Sequence, residues 1–95
     1  MIKNVVSIRM PVAERMVIRK NRLLPPGMTE KEALDKGLPR ICVTTGTHGD
    51  ELEGQYVCWR LNRILSEQSE FLTGIVDIYP AINPLGIDSI TRGIP

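Results

Sequence analysis

The chain alternates between short apolar, β-branched runs and segments rich in glycine, proline and charge. Four runs have the length and composition of strands, at residues 4–10, 15–24, 40–45 and 74–79. A longer segment, residues 51–68, places apolar side chains on two adjacent stripes at helical spacing, which predicts an amphipathic helix. In a shorter segment, residues 29–36, Thr29 and Glu32 have the spacing of a capping box, which predicts two helical turns.

The order of these elements indicates the fold class. The first two strands are joined by residues 11–14, a spacing suited to a β-hairpin. The last two flank the long helix, and a strand-helix-strand order predicts a right-handed parallel crossover. We therefore predict an α/β fold with a partial mixed sheet of about four strands, made of an N-terminal hairpin and a parallel strand-helix-strand unit.

The predicted elements are few for an independent domain. Residues 25–39 change character but are interpreted as a surface connection, because neither flank looks able to fold alone. Four strands and one long helix leave a sheet face or edge uncovered, which invites pairing with another chain. Residues 1–95 are thus expected to form a single incomplete domain that self-associates or requires further chain.

The turn between the third strand and the long helix carries the candidate chemistry. Its sequence, TTGTHGDELEG from Thr44 to Gly54, holds the only histidine of the chain, His48, three residues before Glu51. Gly46 and Gly49 allow the backbone to bend sharply and to take positive φ. Imidazole nitrogen and carboxylate oxygen are both good zinc ligands, and this end of a strand is where open α/β sheets place their ligands.

A structural interpretation accounts for part of the same turn. Asp50 is suited to cap the helix with Glu53 as its capping-box partner, and acidic residues near a helix N-terminus are stabilised by the macrodipole. A lone loop histidine is usually a solvated side chain, and two candidate ligands do not make a metal site. On the residues alone, both interpretations stay open.

Two motifs resemble those of a known family. GTHGDE at residues 46–51, followed by NPLGIDSITRG at residues 83–93, resembles the succinylglutamate desuccinylase and aspartoacylase family, whose members are relatives of the zinc carboxypeptidases. The resemblance covers about residues 40–95. It implies a fragment of a zinc carboxypeptidase-like fold and a zinc-dependent hydrolase, a deacylase that cleaves the amide bond of an N-acyl amino acid or a similar small substrate.

The resemblance also implies roles for single residues. His48 and Glu51 match the first two zinc ligands, whereas Asn83 and Arg92 match positions that contact substrate. The family needs a second histidine as third ligand and a glutamate as general base, and the resemblance places both after residue 95. We therefore expect no catalytic residue within this chain, weak zinc binding and little or no hydrolysis by it alone, which makes it the N-terminal part of a catalytic domain. An Asn-Arg pair that follows the N-P segment in the family is missing, and Asn62-Arg63 lies in the helix instead.

Composition narrows the choice of partners. Twelve basic and eleven acidic residues give a net charge of +1 with no long run of either sign, so we expect neither nucleic acid nor membrane as a partner. The first residues hold no uninterrupted apolar stretch of the kind found in signal peptides, and no segment approaches the roughly eighteen apolar residues of a membrane span, so we expect a cytoplasmic location. Cys42 and Cys58 are predicted to be small buried hydrophobes. Asp77 is predicted to bond a nearby polar group. The basic residues of the hairpin are predicted to be solvated charges that protect an edge strand: Arg9, Arg15, Arg19, Lys20 and Arg22.

Two other functions use the same features differently. The chain could be a non-catalytic interaction or oligomerisation module in which His48 and Glu51 form a vestigial metal half-site. A third hypothesis, a phosphate-binding turn at the start of the helix, is weakened because Asp50, Glu51 and Glu53 would repel phosphate. Hydrolysis that depends on both His48 and Glu51 would separate the first hypothesis from the second.

Overall fold

The computed structural model describes residues 1–49 and 52–90. A single sheet has the strand order β1-β2-β4-β3, and short 3-10 turns follow β1 and α2. The strands are β1 (Ile2–Arg9), β2 (Arg15–Leu23), β3 (Arg40–Thr44) and β4 (Ile75–Tyr79), and the helices are α1 (Glu30–Asp35), α2 (Glu53–Glu67) and α3 (Pro84–Ser89). The predicted mixed α/β sheet of four strands is confirmed.

The strand pairings agree with the predicted hairpin and crossover. β1 and β2 pair antiparallel, β2 and β4 pair antiparallel, and β3 pairs parallel with β4 so that Cys42 lies opposite Asp77. β4 is therefore flanked on both sides by strands, which explains why Ile75, Asp77 and Ile78 are buried although the strand is only five residues long.

The apolar core lies between the sheet and α2. Leu23, Cys58 and Ile78 form its buried centre, and partly buried hydrophobic residues pack around them: Val43, Leu61, Leu65, Leu72 and Val76. Cys58 is buried as predicted, and burial raises the pKa of its thiol, so the thiol stays neutral. The opposite side of α2 is also apolar but faces outward, with Tyr56, Val57, Trp59 and Ile64 exposed.

The other face of the sheet is ionic. Asp77 is completely buried there and accepts hydrogen bonds from Lys20, Arg22 and Arg40, which confirms the prediction that it bonds polar neighbours. The prediction that Lys20 and Arg22 are solvated charges on an edge strand is wrong. β2 lies inside the sheet, and both side chains are buried against Asp77 on β4.

Three smaller predictions have mixed outcomes. Thr29 caps α1 by accepting a hydrogen bond from the backbone N–H of Glu32 at 3.2 Å, as predicted. Cys42 was predicted to be buried but is exposed. β3 is an edge strand, and Cys42 lies on the face of the sheet that α2 does not cover. Asn83, Pro84 and Gly86 predict a loop after β4, but a short helix, α3, begins at Pro84.

No helix in the described part of the chain is long and apolar enough to cross a membrane.

Candidate metal-binding turn

The turn that carries His48 follows β3 directly. Gly46 adopts φ of +73°, in the left-handed region where a side chain would be strained, so the predicted need for a glycine is confirmed at this position. A Cβ at Gly46 would also lie 2.7 Å from the side chain of Ile87. The chain is thus turned out of the sheet at Gly46, and His48 lies two residues farther along, at the carboxyl end of the parallel pair.

A ladder of hydrogen bonds joins this turn to the segment that follows β4. The backbone N–H groups of Ile82 and Asn83 donate to the carbonyls of Thr45 and Gly46 at 3.1 and 2.9 Å. The side-chain amide of Asn83 donates to the carbonyl of Thr47 at 3.4 Å. The two segments that carry the sequence motifs are therefore in direct contact, at the carboxyl ends of the parallel strands β3 and β4.

Gly49 is required for a different reason from Gly46. A Cβ at Gly49 would lie 2.0 Å from the backbone carbon and 2.2 Å from the carbonyl oxygen of Gly86, far inside any real contact distance. Positive φ, which the sequence suggested for both glycines, is found at Gly46 and not at Gly49. The first turn of α3 packs so closely on the His48 turn that only a glycine fits there.

His48 is half buried and lines an open groove of about 550 Å³. The other lining residues come from the end of β3, the turn and the start of α2: Thr44, Thr45, Gly46, Thr47, Glu53 and Gly54. The groove therefore holds an imidazole, a carboxylate and threonine hydroxyl groups. Glu53 is a second acidic candidate that the sequence interpretation assigned only to helix capping.

Gln55 is another residue of this region that the sequence did not single out. Its side-chain amide donates to the hydroxyl of Thr45 at 3.2 Å and to the carbonyl of Pro80. The Thr45 hydroxyl donates to the same carbonyl at 3.0 Å. This polar cluster ties the first turn of α2 to the ends of β3 and β4. A glutamine near the start of a helix gives no sequence signal for such a contact.

The predicted site residues fall into two groups. Glu51 and Arg92 lie outside the described residues, so their assignments stay predictions. Asn83 is buried, with 7% of its surface exposed, and its Oδ1 accepts a hydrogen bond from the backbone N–H of Gly86 at 3.0 Å. It caps α3 and bonds the His48 turn, and its contact with substrate stays a prediction.

The capping box predicted for α2 is wrong. The helix begins at Glu53, which stands at its first position, whereas a capping box with Asp50 requires the third. Leu52 occupies the N-cap position and makes no side-chain capping bond. Asp50 itself lies outside the described residues. Glu53 is therefore left exposed at the groove and makes no capping-box contact within the helix.

Comparison with known proteins agrees with this geometry. The family model of the succinylglutamate desuccinylase/aspartoacylase catalytic domain matches residues 37–95. The structure is similar to the crystal structure of an aspartoacylase family protein from Mesorhizobium loti, with a TM-score of 0.70 and 25% sequence identity. This similarity covers all of the present chain and 26% of the Mesorhizobium loti chain. No curated protein matches the sequence.

The sheet, the His48 turn and the matched segment correspond to part of a succinylglutamate desuccinylase/aspartoacylase catalytic domain. The chain belongs to the succinylglutamate desuccinylase/aspartoacylase family, since the family model covers more than half of it. It spans about a quarter of the length of the solved relative.

The side chains that line the groove could provide part of the ligand set of a zinc site. Zinc is bound by imidazole nitrogen and carboxylate oxygen, and catalytic sites normally use three protein ligands. Among residues 1–49 and 52–90, no three histidine, cysteine or acidic residues lie together as a metal site would require. The described residues therefore fit zinc in their chemistry, through His48, but do not supply a complete ligand set.

Proposed function

We propose that this chain supplies the first zinc ligands of an amide-hydrolysing deacylase, as the N-terminal part of its catalytic domain. The observation that carries the proposal is the contact between the two family motifs, in which Asn83 bonds the turn that presents His48. Without that contact the two motifs would be separate sequence matches. Their meeting at one sheet edge is what a composite active site requires.

In the proposed site, His48 and Glu51 hold zinc together with the second histidine that the family resemblance implies, which is not in this sequence because His48 is its only histidine. A zinc ion held by these residues would supply Lewis-acid chemistry for hydrolysis of an amide. Residues of the chain position these groups. Gly49 allows the first turn of α3 to pack against the turn that carries His48. The side-chain amide of Asn83 donates a hydrogen bond to the carbonyl of Thr47 and so holds the residue that precedes His48.

The remaining roles follow from side-chain chemistry. Arg92, as a planar bidentate donor, is proposed to hold a carboxylate or carbonyl oxygen of an N-acyl amino acid. Asn83 is proposed to contact the same substrate at the edge of the groove. The general base is not assigned within this chain, so hydrolysis is proposed for the assembled catalytic domain.

A zinc titration with a matched carboxylate control tests the metal half of the proposal. Calorimetry on chelator-stripped protein should show one weak zinc site per chain. We expect His48→Ala and Glu51→Gln to weaken it at least tenfold, a loss of about 1.4 kcal/mol or more, and Glu53→Gln to leave it unchanged. If Glu53→Gln weakens binding instead of Glu51→Gln, the carboxylate is misassigned.

A chimaera tests the catalytic half. The matched quarter of the Mesorhizobium loti protein would be replaced by this chain, and release of amine from a panel of N-acyl amino acids would be measured. Hydrolysis that is lost in His48→Ala and Glu51→Gln and kept in Glu53→Gln is the expected result. If the chimaera folds but His48→Ala does not change its zinc affinity, the chain is better described as a non-catalytic module.

A further inference from the structure

Both proposed zinc ligands belong to one stretch of chain, and the two residues that flank this stretch bond each other. We call residues 46–54, which include His48 and Glu51, the ligand segment. Gln55 lies in the first turn of α2, and Thr45 directly follows β3. The side-chain amide of Gln55 donates a hydrogen bond to the hydroxyl of Thr45 at 3.2 Å. The two ends of the ligand segment are therefore joined by a contact between side chains.

The same two side chains share a third partner, the carbonyl of Pro80. The Thr45 hydroxyl donates to this carbonyl at 3.0 Å, and the Gln55 amide donates to it as well. Pro80 directly follows β4, so the contact joins the ends of both parallel strands to α2. A side-chain amide has two N–H donors, and a hydroxyl both donates and accepts. Gln55 and Thr45 can therefore make all three hydrogen bonds at once.

Two glycines allow this contact to be close. A Cβ at Gly54 would lie 3.1 Å from Cβ of Thr45, so the start of α2 is packed tightly on the end of β3. A Cβ at Gly46 would lie 3.1 Å from Nε2 of Gln55. The first and last residues of the ligand segment are thus both packed against the pair formed by Gln55 and Thr45.

We propose that Gln55 and Thr45 are positioning residues of the zinc site, which hold the ligand segment in a conformation ready to bind the metal. The inference rests on the proposed function, in which His48 and Glu51 bind zinc. A segment whose ends are held together has fewer conformations than a free one, so it loses less entropy when its side chains converge on an ion. Hydrogen bonds that support metal ligands raise metal affinity in this way.

The partners of Gln55 distinguish this role from simple stabilisation of α2. A glutamine that only stabilised the helix would bond within it, whereas both printed partners of the Gln55 side chain lie at the ends of strands. These strand ends are also the ends from which the His48 turn and the Asn83 segment leave the sheet. Loss of the contact should therefore loosen the ligand segment more than the helix.

Order in the ligand segment can be measured without metal. Amide nitrogen relaxation of the chelator-stripped 95-residue chain gives backbone order parameters at Thr47 and His48. Gln55→Met keeps the length of the side chain but removes its donors, and it should lower these order parameters toward the value of roughly 0.6 that marks flexible backbone. Gln68→Met, at the exposed C-terminal end of α2, is the matched control and should leave them unchanged.

Zinc affinity then separates positioning from stability. Calorimetry should show that Gln55→Met binds zinc at least about fivefold more weakly than the wild type, the effect of one lost hydrogen bond. Thr45→Val should weaken binding similarly, whereas Thr45→Ser keeps the hydroxyl and should bind like the wild type. Circular dichroism checks that each variant is folded. A residue that only stabilised the fold would lower the free energy of unfolding without changing the zinc affinity of the folded protein.

The His48→Ala variant distinguishes failure of this inference from failure of the proposed function. If His48→Ala weakens zinc binding but folded Gln55→Met and Thr45→Val bind zinc like the wild type, the proposed function stands and the positioning role is wrong. Unchanged order parameters in Gln55→Met would overturn the positioning role in the same way. If His48→Ala leaves zinc binding unchanged, the proposed function fails, and the positioning role fails with it.

Discussion

The two faces of the sheet are held by opposite kinds of interaction, although β4 contributes to both. Ile78 points to the face covered by α2, where it packs with Leu23 and Cys58. Asp77, one residue earlier, points to the other face and lies among cationic side chains. Alternation along a strand thus places a fully buried isoleucine next to a fully buried carboxylate.

The ionic face is specified by geometry. The Asp77 carboxylate accepts from Arg22 through Nε at 2.8 Å and Nη2 at 2.9 Å, a two-point contact that fixes both planes. Lys20 donates to the same carboxylate at 3.1 Å and Arg40 at 2.9 Å. Arg22 continues to Glu30 on α1 at 2.6 Å. This network holds α1, β2, β3 and β4 together.

The pKa values of Asp77 and Arg22 are shifted in opposite directions, and both shifts favour the charged form. Arg22, by its hydrogen bonds, holds the pKa of the Asp77 carboxyl well below its usual range, against the opposing effect of burial. Asp77 in turn raises the pKa of the Arg22 guanidinium. Both groups are therefore charged in the folded state, and each depends on the other for its solvation. Hydrophobic contacts on the α2 face carry no such dependence.

The largest expected effect comes from removing the shared anion. Asp77→Asn keeps the size of the side chain but removes the buried counter-charge of Lys20 and leaves Arg22 paired with Glu30 alone, which should cost about 3–5 kcal/mol of unfolding free energy. Urea denaturation followed by Trp59 fluorescence measures it. Glu67→Gln is the control, because its pair with Arg63 is exposed on both sides and should contribute less than about 1 kcal/mol. A loss below about 1 kcal/mol for Asp77→Asn would show that the ionic face is not what holds these elements.

Acid should produce the same effect more gradually. The pKa of Asp77 is lowered in the folded state, so its contribution to stability is complete above the ordinary value of 3.8 and is lost as pH falls below it. Glu30, whose pKa is lowered mainly by Lys3, acts in the same direction. Unfolding free energy measured between about pH 7 and pH 3 should fall at the acidic end in the wild type and less steeply in Asp77→Asn. Equal slopes would exclude Asp77 as the titrating group.

The apolar face of the sheet was predicted from the sequence better than the ionic face. The elements and pairings of β3 and β4 were predicted correctly because both are short apolar, β-branched runs that flank the long helix. On the ionic face, charged residues are buried, so polarity does not predict exposure there. Lys20 and Arg22 have the composition of surface residues, and only the placement of Asp77 beside β2 shows that they are buried.

The candidate site was predicted in a similar, uneven way. The need for a glycine at position 46 followed from the strand-turn-helix order. The two motifs meet because β3 and β4 are parallel, so that the segments following them lie at the same end of the sheet. α3 was missed, although Asn83 and Pro84 are a good N-cap and first residue for a helix. The close contact of Gly49 with Gly86 joins residues 37 positions apart, and no local pattern reports such a distance.

The smallest effect is expected on the apolar face, and it sharpens the contrast. Ile78→Val removes one methylene from the core and should cost about 0.5–1.5 kcal/mol, because it leaves a small cavity but no unpaired group. Ile64→Val, on the exposed side of α2, is the matched control and should change stability by no more than about 0.5 kcal/mol. Both are measured by the urea denaturation used for Asp77→Asn. If Ile78→Val proved as costly as Asp77→Asn, the core would be the less tolerant face, and the ionic network would be an accessory to it.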